Sequence, residues 1–161
     1  FKIKRKNFIK ATSSFKGLPH RYELFFKFKN MEFINDSKAT SFESTKYALM
    51  NSNNIIWILG GQPKINDKIK IKAFKKKIIK TYIIGNHAKF FSKQIKKDIN
   101  FLIKNQLKEV VEDILKKNIL HKKKITILFS PASASFDQFK NFVDRGNKFK
   151  YFVKLYAKKY L

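Results

Sequence analysis

Apolar positions along the chain switch repeatedly between a spacing near two and a spacing of three to four, which outlines strands and helices in turn. Up to about Phe15, the residues Ile3, Phe8, Ile9, Ala11 and Phe15 keep a loose helical spacing. It closes at Lys16-Gly17-Leu18-Pro19, a Gly-then-Pro stop. Tyr22–Phe28 and Met31–Ile34 read as two short strands around a Lys29-Asn30 turn. Ser41–Met50 reads as a helix. Ile55–Leu59 (IIWIL) and Ile125–Phe129 (ITILF) are unbroken apolar runs, the pattern of strands buried on both faces. Between them the pattern predicts a basic helix around Lys70–Lys77, a strand over Thr81–Ile84 and a helix from about His87 to Lys97. A strand over Ile99–Ile103 and a helix over Leu107–Lys117 follow. In the last segment, Arg145–Lys159, the residues Phe149, Phe152, Val153 and Tyr156 recur at helical spacing. Nothing repeats at 20–50 residues, and no low-complexity stretch exceeds a few lysines.

This alternation predicts an α/β domain: a mostly parallel, Rossmann-like sheet with helices on both faces. Ligands of such sheets gather at the carboxyl ends of the strands. Three polar loops fall there: Asn35–Thr40, Gly60–Lys64 and Ser130–Asp137. They should converge on one rim, which is the candidate site. The first places Asp36, Lys38 and Thr40 ahead of a helix whose free N–H groups suit a carboxylate or phosphate. The second sets Lys64 beyond a glycine pair, and the third combines small residues with Ser130, Ser133 and Ser135. Each loop alone also fits a plain structural role, as a helix cap or a serine turn.

Other chemistry is sparse. His20, His87 and His121 lie far apart in sequence, and none has metal-ligand spacing. His121 reads as a solvated turn residue, and His20 as either a packed or a site residue. Gly-Gly-Gln-Pro-Lys lacks the Gly-Lys-Ser/Thr ending of a phosphate-cradling Walker loop. Without cysteine there is no disulfide framework, thiolate zinc site or cysteine nucleophile.

The length, 161 residues, suits one domain. No apolar run approaches the roughly 20 residues that span a bilayer, and the opening residues lack the apolar core of a signal peptide. Net charge is +26, from 37 Lys and Arg against 11 Asp and Glu, which raises a basic nucleic-acid-binding module as the alternative reading. Yet Arg occurs only at Arg5, Arg21 and Arg145, whereas nucleic-acid contacts favour the planar Arg fork. Lys, Ile, Asn and Phe are jointly abundant, as A/T-rich codons would produce. Most of the charge therefore reads as compositional background.

Four strings in order carry a resemblance: GLPHR (Gly17–Arg21), INDSKAT (Ile34–Thr40), ILGGxxK (Ile58–Lys64) and SPASASFDQFKNFxDRGNKF (Ser130–Phe149). They resemble the C-terminal domain of the Mur ligases of peptidoglycan synthesis, in the branch that adds D-glutamate. The match runs from Gly17 onward, so residues 17–161 would be that domain and residues 1–16 the tail of a preceding central ATPase domain. The Asp-Asn-Pro-Arg signature of the diamino-acid-adding relatives is absent. Folylpolyglutamate synthetases share the architecture, but INDSKAT and SPASASFDQF argue against them.

The resemblance implies a cytoplasmic bacterial enzyme, monomeric, with neither a specific nucleic-acid partner nor a membrane. It would join D-glutamate to UDP-N-acetylmuramoyl-L-alanine using ATP and magnesium through an acyl-phosphate. Thr40 and Lys64 would hold one carboxylate of D-glutamate, and Ser135, Phe136 and Phe142 the other end. Arg21, Asp36 and Lys38 would face the nucleotide. Asp137, Gln138, Asn141 and Arg145 would support the loop. The chain departs from the family pattern at Ser133, Phe136, Ser41, Val143 and Gln62-Pro63, none of which removes an expected ligand contact. The UDP-binding and ATPase domains, which would hold most of the ATP and magnesium, are not in this sequence, so the chain alone should be inactive.

Overall fold

The computed structural model describes residues 3–15, 17–118 and 122–160. His121 lies outside them. Helix α1 (Arg5–Ser14) opens the chain, and none of its residues is buried. A hairpin follows, β1 (Glu23–Phe28) and β2 (Met31–Asn35), then α2 (Phe42–Met50) and β3 (Ile55–Gly60). Next come a 3₁₀ turn (Lys72–Lys77), β4 (Ile78–Ile84), α3 (Ala88–Ile95) and β5 (Phe101–Lys104). The chain ends with α4 (Leu107–Asn118), β6 (Ile125–Phe129) and α5 (Phe142–Tyr160).

The sheet runs β1-β2-β6-β3-β4-β5, parallel throughout except for the antiparallel β1 edge. The two unbroken apolar runs, β3 and β6, sit side by side at its centre and are buried at every position. Alternate side chains of β3 divide between the faces. Ile56 and Ile58 join the core under α4 and α5, while Ile55, Trp57 and Leu59 join the core under α2 and α3. A strand that must fill two cores cannot spare a polar position, which is why these segments read as continuous apolar runs.

Two expectations shift. The basic segment around Lys70–Lys77 forms only a 3₁₀ turn over Lys72–Lys77, because Ile71 and Phe74 alone reach the core and Lys75, Lys76 and Lys77 leave no apolar stripe. The strand expected over Ile99–Ile103 begins at Phe101, since Ile99 is buried in the turn that ends α3 and bonds back to the Ile95 carbonyl. Among the described residues, no helix is long and apolar enough to cross a membrane.

Candidate functional site

Parallel pairing of β2, β6 and β3 puts the three carboxyl ends next to one another on one edge of the sheet. The loops that leave them are stitched together. The Asp36 N–H donates to the Phe129 carbonyl at 2.8 Å, and the Gly60 N–H to the Pro131 carbonyl at 3.0 Å. Gln62 and Ala134 exchange two backbone bonds of 2.9 and 3.0 Å, an isolated antiparallel bridge between the second and third loops. Trp57, buried in β3, donates its indole N–H to the Ser130 carbonyl at 2.8 Å and so anchors the third loop from below.

A cavity of about 270 Å³ opens beside the first loop. Arg21, Asp36 and Lys38 line it together, with Tyr22, Ala39, Ser44, Tyr47, Ala48 and Asn51. Asp36 is only 8% exposed. Its Oδ1 accepts the Tyr22 N–H at 3.0 Å, and its Oδ2 the Ser130 hydroxyl at 2.6 Å. Burial pushes its pKa above the ordinary carboxylate value, against the pull of the Ser130 hydroxyl, the Tyr22 N–H and the Arg21 charge. Lys38 leans over the Phe142 ring, its ammonium 3.8 Å from the ring centroid. That contact joins a nucleotide candidate to a D-glutamate candidate across the mouth of the first loop.

The other candidates sit around the same edge. Thr40 is half-buried just ahead of α2, whose N-terminus is capped by Ser41 accepting from the Ser44 N–H at 3.4 Å. Ser135 is buried, Phe136 is 70% exposed, and Phe142 opens α5. Lys64 stands out into solvent, on a turn closed by its own N–H donating to Asp67 Oδ2 at 3.1 Å. The donor set of this rim is hydroxyls, backbone N–H groups and cations, which suits carboxylate and phosphate oxygens.

Behind the loops, Arg145 lies in α5 at 0% exposure. Its Nε–H donates to the Ser37 hydroxyl at 3.0 Å, and its Nη2–H donates to the Ser37 carbonyl at 2.8 Å and the Ser133 carbonyl at 3.0 Å. Burial pushes its pKa down to about 10, opposed by the Asp137 charge, so it stays cationic at neutral pH. The supporting role expected of Arg145 is met by these bonds.

His20 proves to be a packed residue, 5% exposed, with Nδ1 3.0 Å from the Asn35 amide nitrogen. Burial, aided by the Lys150 charge, lowers its pKa below 6.5, while Glu23 and Asn35 pull the other way. The unfolded chain therefore takes up a proton near pH 6.5 that the folded chain still refuses, and stability falls as pH drops below that value. Urea midpoints should decline between pH 7.5 and 5.5, and the decline should shrink in His20→Gln. The same decline in both proteins would refute the assignment.

Sequence reasoning passed over Tyr22, Tyr47 and Asn51, which line the cavity. Tyr22 holds a positive φ of 44° and donates its hydroxyl to the Asn51 carbonyl at 2.9 Å, tying the loop before β1 to the end of α2. Tyr47 is 70% exposed on α2. An exposed tyrosine on a helix carries no sequence signal, because only the fold decides which cavity it borders.

A parallel α/β sheet whose carboxyl-end rim presents cations and hydroxyls is the kind of architecture that suits anionic ligands. No protein-family model matches the chain. In sequence it is similar to UDP-N-acetylmuramoylalanine–D-glutamate ligase of a Wolbachia of Brugia malayi, 37% identical over 148 residues, which are 92% of this chain and 30% of that protein. The ligase of the same name from Bartonella henselae is 40% identical over 153 residues, 94% of this chain and 33% of that protein. In fold it is similar to UDP-N-acetylmuramate-alanine ligase MurC from Thermotoga maritima, with a TM-score of 0.61 at 15% identity over 94% of this chain and 32% of that one. MurF from Acinetobacter baumannii gives a TM-score of 0.66 at 11% identity, over 94% of this chain and 34% of that one. The chain spans about a third of the length of the curated relatives it matches. It belongs to the Mur ligase family, with the fold of that family's C-terminal domain. Within the family, its sequence relatives are the ligases named for D-glutamate.

Proposed function

We propose that this chain is the D-glutamate-accepting domain of a ligase that joins D-glutamate to UDP-N-acetylmuramoyl-L-alanine with ATP and magnesium. Residues 17–161 form that domain, and residues 1–16 are the end of a central ATPase domain. The convergence of three anion-friendly loops on one rim supports this reading most directly, beside the names of the relatives. D-Glutamate carries two carboxylates, so holding both fixes the direction of its amine. Thr40 and Lys64 take one carboxylate, while Ser135, Phe136 and Phe142 take the other end. The amine is then aimed at the activated carboxyl of the second substrate, which is catalysis by positioning.

Arg21 and Lys38 supply cationic donors to nucleotide phosphates, and Asp36 accepts from ribose hydroxyls. ATP and magnesium supply the activation of the carboxyl, and they bind mainly outside this domain. The enzyme works as a monomer in the bacterial cytoplasm. The nucleic-acid alternative finds less support. Exposed lysines are spread over unrelated elements, such as Lys6, Lys27, Lys72, Lys93, Lys116 and Lys154, and the strand aromatics Trp57, Tyr82 and Phe129 are buried instead of offered for stacking.

The 161-residue chain by itself is expected to release no ADP in the presence of ATP, magnesium, D-glutamate and UDP-N-acetylmuramoyl-L-alanine. A coupled ADP assay checks this, and turnover would contradict the need for partner domains. Calorimetric affinity for D-glutamate should also be weak, because domain closure completes the site.

A further inference from the structure

We infer that Arg145 is a positioning residue that couples the two halves of the rim, so that D-glutamate and the nucleotide each favour the other's binding. This rests on the substrate assignment above. The first and third loops are both bonded to this guanidinium, which touches no substrate candidate itself. Its Nη2 grips the carbonyls of Ser37 and Ser133 together, and its Nε–H adds the Ser37 hydroxyl. Ser37 lies between Asp36 and Lys38 on the nucleotide side. Ser133 lies two residues before Ser135 on the D-glutamate side.

Near the strands the same two loops are already joined by the Ser130 hydroxyl on Asp36. Beyond Asp36, Arg145 supplies the link. A planar guanidinium with several fixed donors passes a shift of one carbonyl to the other, where a flexible ammonium would absorb it.

The second loop is poised to join. Nη1 of Arg145 is buried and has no hydrogen-bond partner among the described residues. It lies 3.1 Å from the position a Cβ on Gly61 would take, so it faces the start of the Gly61–Lys64 loop. Asp137 Oδ1, whose charge supports the guanidinium, is likewise buried and unpartnered. A buried donor without an acceptor favours any rearrangement that supplies one. Occupancy that draws the second loop inward would do so, and the coupling it creates is reciprocal between the two ligands.

Hydrogen exchange on this chain tests the inference, with D-glutamate and ADP as separate probes. In the wild type, D-glutamate should slow exchange across residues 130–137 and also across 36–40, the latter by about fivefold. ADP should do the converse. In Arg145→Lys, each ligand should protect only its own loop. Ser37→Ala keeps both carbonyl bonds and loses the hydroxyl, with its bonds from Arg145 Nε and to the Phe142 carbonyl, so it should fold and give reduced cross-protection. Cross-protection at the wild-type level in both variants, or wild-type protection confined to one loop, would overturn the coupling. If D-glutamate protects neither loop in the wild type, the placement of D-glutamate on this rim falls first, and the coupling falls with it.

Discussion

Alanine in place of Gly61 is expected to lower the melting temperature by about 10 °C. Gly61 has φ of +134°, a conformation L side chains rarely adopt, which alone costs about 1–3 kcal/mol. Space is also lacking. A Cβ there would stand 2.3 Å from the Ala134 carbonyl oxygen and 2.6 Å from the Ser133 hydroxyl. The first of these is backbone and part of the Gln62–Ala134 bridge, so the bridge must open or the third loop must move. Either response displaces Ser133 and its bond to Arg145. A total of about 3–4 kcal/mol follows, and each kcal/mol is worth roughly 2–4 °C in a domain of this size. Thermal melting followed by circular dichroism measures it. A change under about 2 °C would mean that the second and third loops are not held together as described.

The second large effect concerns binding. In the complete ligase containing this domain, Lys64→Ala should raise the KM for D-glutamate about 10- to 100-fold while leaving the KM for ATP close to its original value. A hydrogen bond to a charged group is worth about 1.5–3 kcal/mol, which sets the range. Lys64 is exposed and its neighbourhood is a solvent-facing turn, so its loss should not disturb folding. That separation makes the variant informative. Steady-state kinetics with D-glutamate varied at saturating ATP provide the check, and unchanged kinetics would remove Lys64 from the site. Arg145, by contrast, is placed so that substitution reaches both ligands.

What could be read from the chain follows from where the physical signal is local. IIWIL and ITILF announced themselves as central strands because two-sided burial leaves no polar position in either. The Lys29-Asn30 turn and the start of α2 near Ser41 were legible for the same reason, since a tight turn and a helix start are settled by a few adjacent residues. The insertion of β6 between β2 and β3 was not legible, because strand order depends on contacts far apart in sequence. That insertion is what brings Ser130–Asp137 between the other two loops.

The site divides in the same way. Strand-end loops rich in Ser, Thr, Lys and Gly pointed to a rim for anions, but their chemistry alone stopped short of any particular ligand. The residue roles proposed above come from the resemblance carried by the ordered strings from GLPHR to SPASASFDQF. Arg145 shows the limit most clearly. In sequence it is one cation among 37, and nothing in a helix pattern reveals that it is fully buried and bonded to two loops. Tyr47 is the converse: its exposure fits an ordinary helix surface, and its place at the cavity depends on Arg21 and Tyr22 folding over α2.

Titration of the isotope-labelled chain with D-glutamate, followed by amide resonances, tests the central claim most directly. Shifts confined to residues 36–40, 61–64 and 130–142, and much smaller with L-glutamate, are the predicted result. Equal response to both enantiomers, or shifts scattered over the lysine-bearing faces and reproduced by an oligonucleotide, would contradict it.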